Sequence, residues 1–305
     1  MTSQRPDPRL NAYRDDLASL KLKGVVEAEK FVEGKLMEVV VPKTPLKAAP
    51  RTDAPLDTEV LFGEQVLMFD ENDGWAWIES LTDGYVGYVT SISLGEPGRP
   101  ASHRVSAPST FIYPGPDMKL PALKQLPINA RLAPAIITSD FVEIDRAGNS
   151  EPGSGGGGYV FANHLHEEGT QKGDRLLDFV DIAKLFVGTP YLWGGRTYAG
   201  IDCSGLVQAA LLASGQYCLR DTDMQENSIG EVVDHLEGKG DLKRGDLVFW
   251  QGHVGIMLDE HHLLHANAHH MQTVIEPYEE ARQRIANTDT GGVRTIRRPG
   301  SDNLI

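Results

Sequence analysis

Cys203 and His253 are the residues in this sequence whose types and surroundings most readily support covalent chemistry. Cys203 falls at the expected first turn of a helix, behind the turn-rich stretches Tyr191-Leu-Trp-Gly-Gly195 and Gly200-Ile-Asp202. Unpaired backbone N–H groups and the helix dipole at such a place favour a thiolate, the nucleophilic form, which is scarce for a free thiol near its usual pKa of about 8.5. A small buried apolar residue continuing the Leu206/Val207 face would explain Cys203 taken alone. A candidate base argues for more. His253 follows Gln251-Gly252 at the start of an expected strand, and His265 lies on the next one, beyond the polar turn Asp259-Glu-His261. Alternation puts His253, Gly255 and Met257 on one face, where Gly255 leaves room beside the imidazole. The spacing brings His253 and His265 to opposed positions on that face if the hairpin turns about Asp259, with an odd-length loop or a bulge. His265 would then hydrogen-bond the far nitrogen of His253 and fix its tautomer, while the near nitrogen accepts the Cys203 proton.

The elements needed to hold this set can be read on either side of it. Leu176, Phe179, Val180, Ala183 and Val187 describe one face of a helix that ends at Gly188-Thr-Pro190, and a second helix starts near Asp202 and stops at Gly215. Strands follow over Asp246 to Trp250, His253 to Leu258 and Leu263 to Asn267, an α+β order. Upstream, the runs Met37 to Val41, Glu64 to Phe69, Trp75 to Ile78 and Tyr85 to Val89, cut by Pro, Asp and Gly, predict a small barrel. Ala135 to Ile137, Phe141 to Ile144 and Tyr159 to Phe161 repeat the theme. Gly153 to Gly158 is read as a hairpin tip inside that second barrel rather than a linker. Leu10, Tyr13 and Leu17 at helical spacing predict a short N-terminal helix. The expected domains are an N-terminal helical arm (1–33), a first barrel (34–97), a second barrel (98–168) and the chemistry-bearing domain (169–305).

Composition narrows the function classes. The chain has 305 residues, more than one average domain, and a formal charge of −14 that disfavours nucleic acid and anionic membranes as partners. No apolar run approaches the ~20 residues of a membrane span. The polar start, Met-Thr-Ser-Gln-Arg-Pro-Asp-Pro, lacks the apolar core of a signal peptide, so a cytoplasmic location is the expectation. Cys203 and Cys218 are the only cysteines, and their contexts favour free thiols over a disulfide. Cys218 reads as packing. Zinc held by Cys203, His253 and His265 is conceivable, but no Cys-x-x-Cys or His-Glu-x-x-His pair supports it, and no metal or cofactor is expected.

Taken in order, Tyr191-Leu-Trp-Gly-Gly195, Asp202-Cys-Ser-Gly205, Arg244-Gly-Asp246, Gly252-His-Val-Gly-Ile256 and His265-Ala266 resemble the NlpC cysteine peptidases. The resemblance runs from Asp174 to about Arg297. It implies a papain-like fold with Cys203 as nucleophile, His253 as base, His265 as third polar group and Tyr191 as a hydroxyl near the oxyanion. The upstream part resembles a narrower group, the γ-D-glutamyl-L-diamino acid endopeptidases with two bacterial SH3-like barrels. In that group Glu64 and Tyr85 would hold the free amine of an N-terminal L-Ala, with Asp221 as a second carboxylate. The Ser204 and Thr222 hydroxyls would contact the γ-D-Glu group. Asp202 and Trp193 complete the expected substrate contacts, although Trp193 could equally pack on the first helix. The implied substrates are murein peptides with a free N-terminal L-Ala, cut during wall-peptide recycling. Acyl transfer or amidase chemistry on the same fold and a wall-binding adaptor with a dead site remain alternatives. Oligomeric state is left open.

Overall fold

The computed structural model describes residues 5–138, 140–144, 158–168, 178–233 and 242–300. The chain divides into two compact units, Met1–Glu167 and Glu168–Ile305.

Alternating burial builds the first unit. A seven-stranded sheet runs in the order Leu56–Leu61, Lys43–Lys47, Val86–Thr90, Trp75–Ser80, Gln65–Asn72, Lys35–Val39 and Leu94–Gly95, and every neighbouring pair is antiparallel. Val39, Leu46, Val66, Ala76, Ile78 and Val89 fill its interior with no exposed surface. Asn72 pairs with Trp75 across a two-residue turn in which Asp73 and Gly74 have φ of 49° and 78°. That left-handed pair matches the right-handed twist of the strands, which is why Asp-Gly stands there. The strands Lys43–Lys47 and Leu56–Leu61 were not among the expected ones, because Pro45 and the polar Thr58 and Glu59 interrupt the apolar alternation.

The N-terminal helix does not form. Residues 5–33 carry a short parallel pair, Leu17–Ser19 with Lys30–Val32, and a 3-10 turn at Leu20–Leu22. The Asp7 carboxylate accepts the Arg9 backbone N–H and the Asn11 amide donates to the Asp7 carbonyl, so side chains take the bonds a helix would need. Docking does the rest: Ala12 and Leu17 join a cluster with Phe69 and Trp77, and the Arg14 guanidinium lies 4.4 Å from the Trp77 ring centre. Of Leu10, Tyr13 and Leu17, Leu17 is the one that belongs to this cluster.

Three small sheets surround a further core of Val105, Leu126, Ala130, Val142, Ile144 and Val160. Phe141–Ile144 pairs antiparallel with Gly158–Phe161, Ile144 facing Gly158, as the two sides of a hairpin. The glycine run itself lies outside the described residues except for Gly158. Phe62, which leaves the seven-stranded sheet, is buried in this core, and its carbonyl accepts the Arg131 N–H at 2.8 Å. Gly63 next to it has a φ of 74°, and a Cβ there would overlap the Arg131 carbonyl.

In the second unit α1 (Phe179–Lys184) is capped by Asp178, whose carboxylate accepts the Val180 N–H at 2.8 Å. Val180, Ile182, Ala183 and Phe186 are buried, whereas Val187, expected on the same face, is 42% exposed. The helix ends at Leu185 and the chain turns towards Gly188, so helical spacing stops short of Val187. Leu176 lies outside the described residues. Every residue of α2 (Cys203–Ala213) is buried, because α1 and the sheet both pack on it. Gly215, at a φ of 81°, ends α2 with the paired bonds Gln216 N–H to Leu211 O and Gly215 N–H to Leu212 O. The six-stranded antiparallel sheet runs Glu231–Val232, Thr295–Arg298, Leu247–Trp250, His253–Met257, His262–Asn267, Gln272–Pro277. The helices α3 (Thr222–Ser228) and α4 (Tyr278–Ala286) complete the unit.

Gly63→Ala is expected to lower thermal stability more than Gly74→Ala. Both residues have positive φ, but only at Gly63 does a Cβ meet backbone. Losses of ~1 kcal/mol at Gly74 and ~2–4 kcal/mol at Gly63 should show in denaturant titrations of the two variants.

Candidate active site

Asp202 organises the nucleophile side. As N-cap of α2 it accepts the Gly205 N–H at 2.7 Å and the Ser204 hydroxyl at 3.3 Å on Oδ1. Its Oδ2 accepts the Gly194 N–H at 2.8 Å and Arg220 Nη2 at 2.7 Å. Arg220 also donates to the Ser204 hydroxyl at 2.7 Å, and its side chain is 1% exposed. Both carboxylate oxygens are thus engaged, and Asp202 reads as the fixture of the helix start rather than as a substrate contact. The same applies to Ser204, whose hydroxyl both donates and accepts within this group. A buried carboxylate needs such a partner, since an unpaired one costs several kcal/mol.

Cys203 opens α2 and is 6% exposed. Its sulphur lies 3.9 Å from the Thr222 hydroxyl and 4.0 Å from the Gly252 carbonyl, with the Val254 N–H in hydrogen-bonding reach. Gly252 and Val254 flank His253, so the thiol sits against the strand start that carries the imidazole. Tyr191 is half-buried near Cys203, Asp202 and Arg220, and burial pushes its phenol up, with Cys203 and Asp202 adding to the effect and Arg220 opposing it. Asp221 precedes Thr222 as the N-cap residue of α3. Gln225, fully buried, donates to the Ser204 carbonyl at 2.9 Å and ties α3 to α2. Trp193 is 67% exposed, which removes the expected alternative of packing on α1. Glu64 and Tyr85 belong to the other unit. Glu64 is 2% exposed and its Oε2 accepts the Leu61 N–H at 2.8 Å; Tyr85 is 5% exposed, and its N–H donates to Asp83 at 3.1 Å.

On the sheet side, His253 Nε2 lies 2.8 Å from His265 Nδ1. The hairpin that brings them together turns about Glu260, not Asp259. Ile256 pairs with Leu264, Met257 with Leu263, and Leu258 donates to the His262 carbonyl, so the facing numbers are centred one residue later than expected. Asp259 instead accepts the His261 and His262 N–H groups and shapes the turn from its first corner. His265 is therefore diagonal to His253 rather than opposite it, a separation that two imidazoles bridge. The space left by Gly255 is taken by Leu263, against whose side chain a Cβ would collide. The Trp250 ring, 5.6 Å away between centres, packs on His253.

Two residues were not singled out from the sequence. Glu276, on the next strand, has Oε1 2.6 Å from His265 Nε2, and Arg284 in the last turn of α4 donates to both Glu276 oxygens. An ionised carboxylate only accepts, so His265 carries its proton on Nε2 and offers Nδ1 as acceptor. His253 must then carry its proton on Nε2, which leaves Nδ1 as the ring nitrogen available to the thiol. The signal for Glu276 was present: residues 272, 274 and 276 alternate onto one face of a strand following that of His265.

Burial sets the charge state. It pushes the Cys203 thiol up to about 11, the Asp202 charge adding to it, against the pull of the Val254 N–H, Thr222 and Arg220. It drives His253 down to about 3, helped by His265 and Arg284. The thiolate expected from the helix start is thus overruled by desolvation, and the resting pair is a neutral thiol and a neutral imidazole. Burial opposes ionisation of Glu276 as well, but the hydrogen bonds from His265 and Arg284 hold it at about 2. This arrangement can deprotonate a thiol at the moment of attack and return the proton to a leaving amine.

The acid limb of kcat/KM should consequently fall well below pH 6.5, because protonation of His253 is what removes the base and burial resists it. A pH–rate profile with its acid limb at or above 6.5 would contradict this. Arg220→Met, which leaves Asp202 charged and unpaired, is expected to cost ~3–5 kcal/mol in denaturant unfolding.

Residues 188–291 match the NlpC/P60 family, and residues 46–94 match the bacterial dipeptidyl-peptidase Sh3 domain. A gamma-D-glutamyl-L-lysine dipeptidyl-peptidase of Bacillus subtilis (strain 168) is 28% identical over 241 residues, 70% of this chain and 73% of that protein. A probable endopeptidase NlpC of Escherichia coli (strain K12) is 37% identical over 122 residues, 35% of this chain and 77% of that protein. In fold, the chain is similar to an NlpC/P60 family protein from Bacillus cereus ATCC 10987, with a TM-score of 0.69 and 20% identity over 87% of this chain and 99% of the other.

Proposed function

Because the chain belongs to the NlpC/P60 family and is a hydrolase of the cysteine-peptidase kind, we propose that it cuts the γ-D-Glu–diamino acid bond of murein peptides with a free N-terminal L-Ala. The observation that carries the reading is the placement of Cys203, at the start of α2, against the peptide groups that flank His253, whose imidazole is hydrogen-bonded to His265. The relatives named as gamma-D-glutamyl-L-lysine dipeptidyl-peptidases support the bond chosen.

In this reading His253 Nδ1 takes the Cys203 proton as sulphur attacks the γ-carbonyl of D-Glu. The Tyr191 hydroxyl and the N–H groups at the start of α2 face the oxygen that becomes negative. Collapse of the tetrahedral intermediate expels the diamino acid amine, which takes the proton back from His253. Water, deprotonated by the same imidazole, then hydrolyses the thioester. Thr222 and Trp193 line the acyl side. Asp221, next to Thr222, receives the ammonium of L-Ala; a carboxylate pairs it, whereas an acylated nitrogen would lose the charge interaction. A requirement for a free terminus suits fragments already released from the wall, and recycling of such peptides in the cytoplasm is the setting we infer.

Mass spectrometry of L-Ala-γ-D-Glu-diaminopimelate peptides, free and N-acetylated, tests this directly. The free peptide should yield L-Ala-D-Glu and the acetylated one should be cut at least ~100-fold more slowly, while Asp221→Asn should narrow that gap by raising KM for the free peptide. No cleavage of the free peptide sinks the reading; equal cleavage of both, or a gap unchanged in Asp221→Asn, removes the amine pocket from it.

A further inference from the structure

We propose that Glu276 and Arg284 are positioning residues that act on the base through His265, an acidic end and a counter-charge to the catalytic row. This rests on the reading of Cys203 and His253 as nucleophile and base.

Register and distances place the groups in one line. His265 faces Val274 and Leu263 faces Glu276, so Glu276 stands two residues along from the position opposite His265, on the same face. His253, His265 and Glu276 therefore step diagonally across three adjacent strands, with polar contacts of 2.8 Å and 2.6 Å between them. Exposure rises along the row: His265 has none, the Glu276 side chain 11% and the Arg284 side chain 27%. Arg284 grips Glu276 with one N–H to each oxygen, which fixes the carboxylate's rotamer.

Two consequences follow for the proton that leaves the thiol. First, the S–H bond breaks and an N–H bond forms at His253 Nδ1, creating an imidazolium in a buried site. A polar but neutral neighbour offers such a cation only a dipole, whereas the Glu276 carboxylate, reached through His265, offers a full opposite charge. Second, the direction of the hydrogen bonds depends on the carboxylate. The Asn267 amide nitrogen also lies 3.0 Å from His265 Nε2. While Glu276 accepts from Nε2, that nitrogen carries its proton and the Asn267 N–H has no lone pair to reach. Without the carboxylate, Asn267 can donate to Nε2, which moves the His265 proton to Nδ1. His253 would then be driven to carry its own proton on Nδ1, where the thiol needs a lone pair. Arg284 works in the opposite electrostatic sense, since its positive charge disfavours a protonated imidazole.

These opposed signs give a test that a purely structural role cannot imitate. Steady-state kinetics and pH–rate profiles are measured on L-Ala-γ-D-Glu-diaminopimelate for wild type, Glu276→Gln, Glu276→Asp and Arg284→Met, with melting temperatures to confirm folding and Cys203→Ala as reference. Glu276→Gln should lower kcat by ~10–100-fold with KM within about twofold, and move the acid limb of kcat/KM to lower pH. Glu276→Asp should recover part of kcat. Arg284→Met should move the acid limb the other way, to higher pH. The proposal is overturned if a folded Glu276→Gln keeps kcat and its acid limb within about twofold of wild type. Acid limbs shifting in the same direction in Glu276→Gln and Arg284→Met overturn it equally. A failure of these shifts with Cys203→Ala inactive removes the positioning role alone; turnover persisting in Cys203→Ala removes the nucleophile assignment and the positioning role with it.

Discussion

The buried ion pair of Asp202 with Arg220 is the interaction on which the nucleophile side depends. One carboxylate collects the N–H groups of Gly194 and Gly205, the Ser204 hydroxyl and a guanidinium. Through these bonds it joins the glycine loop behind Tyr191 and Trp193, the first turn of α2 and the segment leading to Thr222. Gly205 cannot be larger, because a Cβ there would press on the Gly195 carbonyl. Removing either ionic partner would leave a charge without solvent or counter-charge, so this corner tolerates little change.

The opposite side of the site is held by a sheet instead of a cap. Its order brings the His253, His265 and Glu276 strands side by side, and a hairpin with Leu258 bonded to His262 fixes which residues face. The thiol meets this side at the peptide groups around His253. Cys203 is buried and His253 partly so, and desolvation pushes the thiol up and the imidazole down from their ordinary values. In the proposed reaction, attack then depends on moving the proton while the carbon–sulphur bond forms, a step that ends with a charge separation.

Much of this was legible in the sequence. Asp202 before an apolar stripe marks a helix cap, and Gly215 its end; alternation around His253 and His265 marks a hairpin, and the ordered motifs point to the family. What was misread has local causes. An N-terminal helix was expected from Leu10, Tyr13 and Leu17, because spacing carries no sign of the Asp7 bonds or of the Trp77 surface that claims the segment. The hairpin centre shifted by one residue, since Asp259 fits either a turn centre or a turn corner and only the backbone bonds decide. A thiolate was expected from the helix start, yet the loss of solvent that opposes it depends on what α1 and the sheet bury. Glu276 and Arg284 went unnoticed because their meeting with His265 depends on the register of a third strand and on the phase of α4.

The central claim is that Cys203 forms the covalent intermediate with the γ-D-glutamyl group, and acid-quenched mass spectrometry of the enzyme during turnover of L-Ala-γ-D-Glu-diaminopimelate tests it most directly. An adduct of L-Ala-D-Glu less one water is expected, located by peptide mapping on the fragment that carries Cys203. An adduct on Cys218, or turnover with no acyl-enzyme while water oxygen enters the product in a single step, would contradict it.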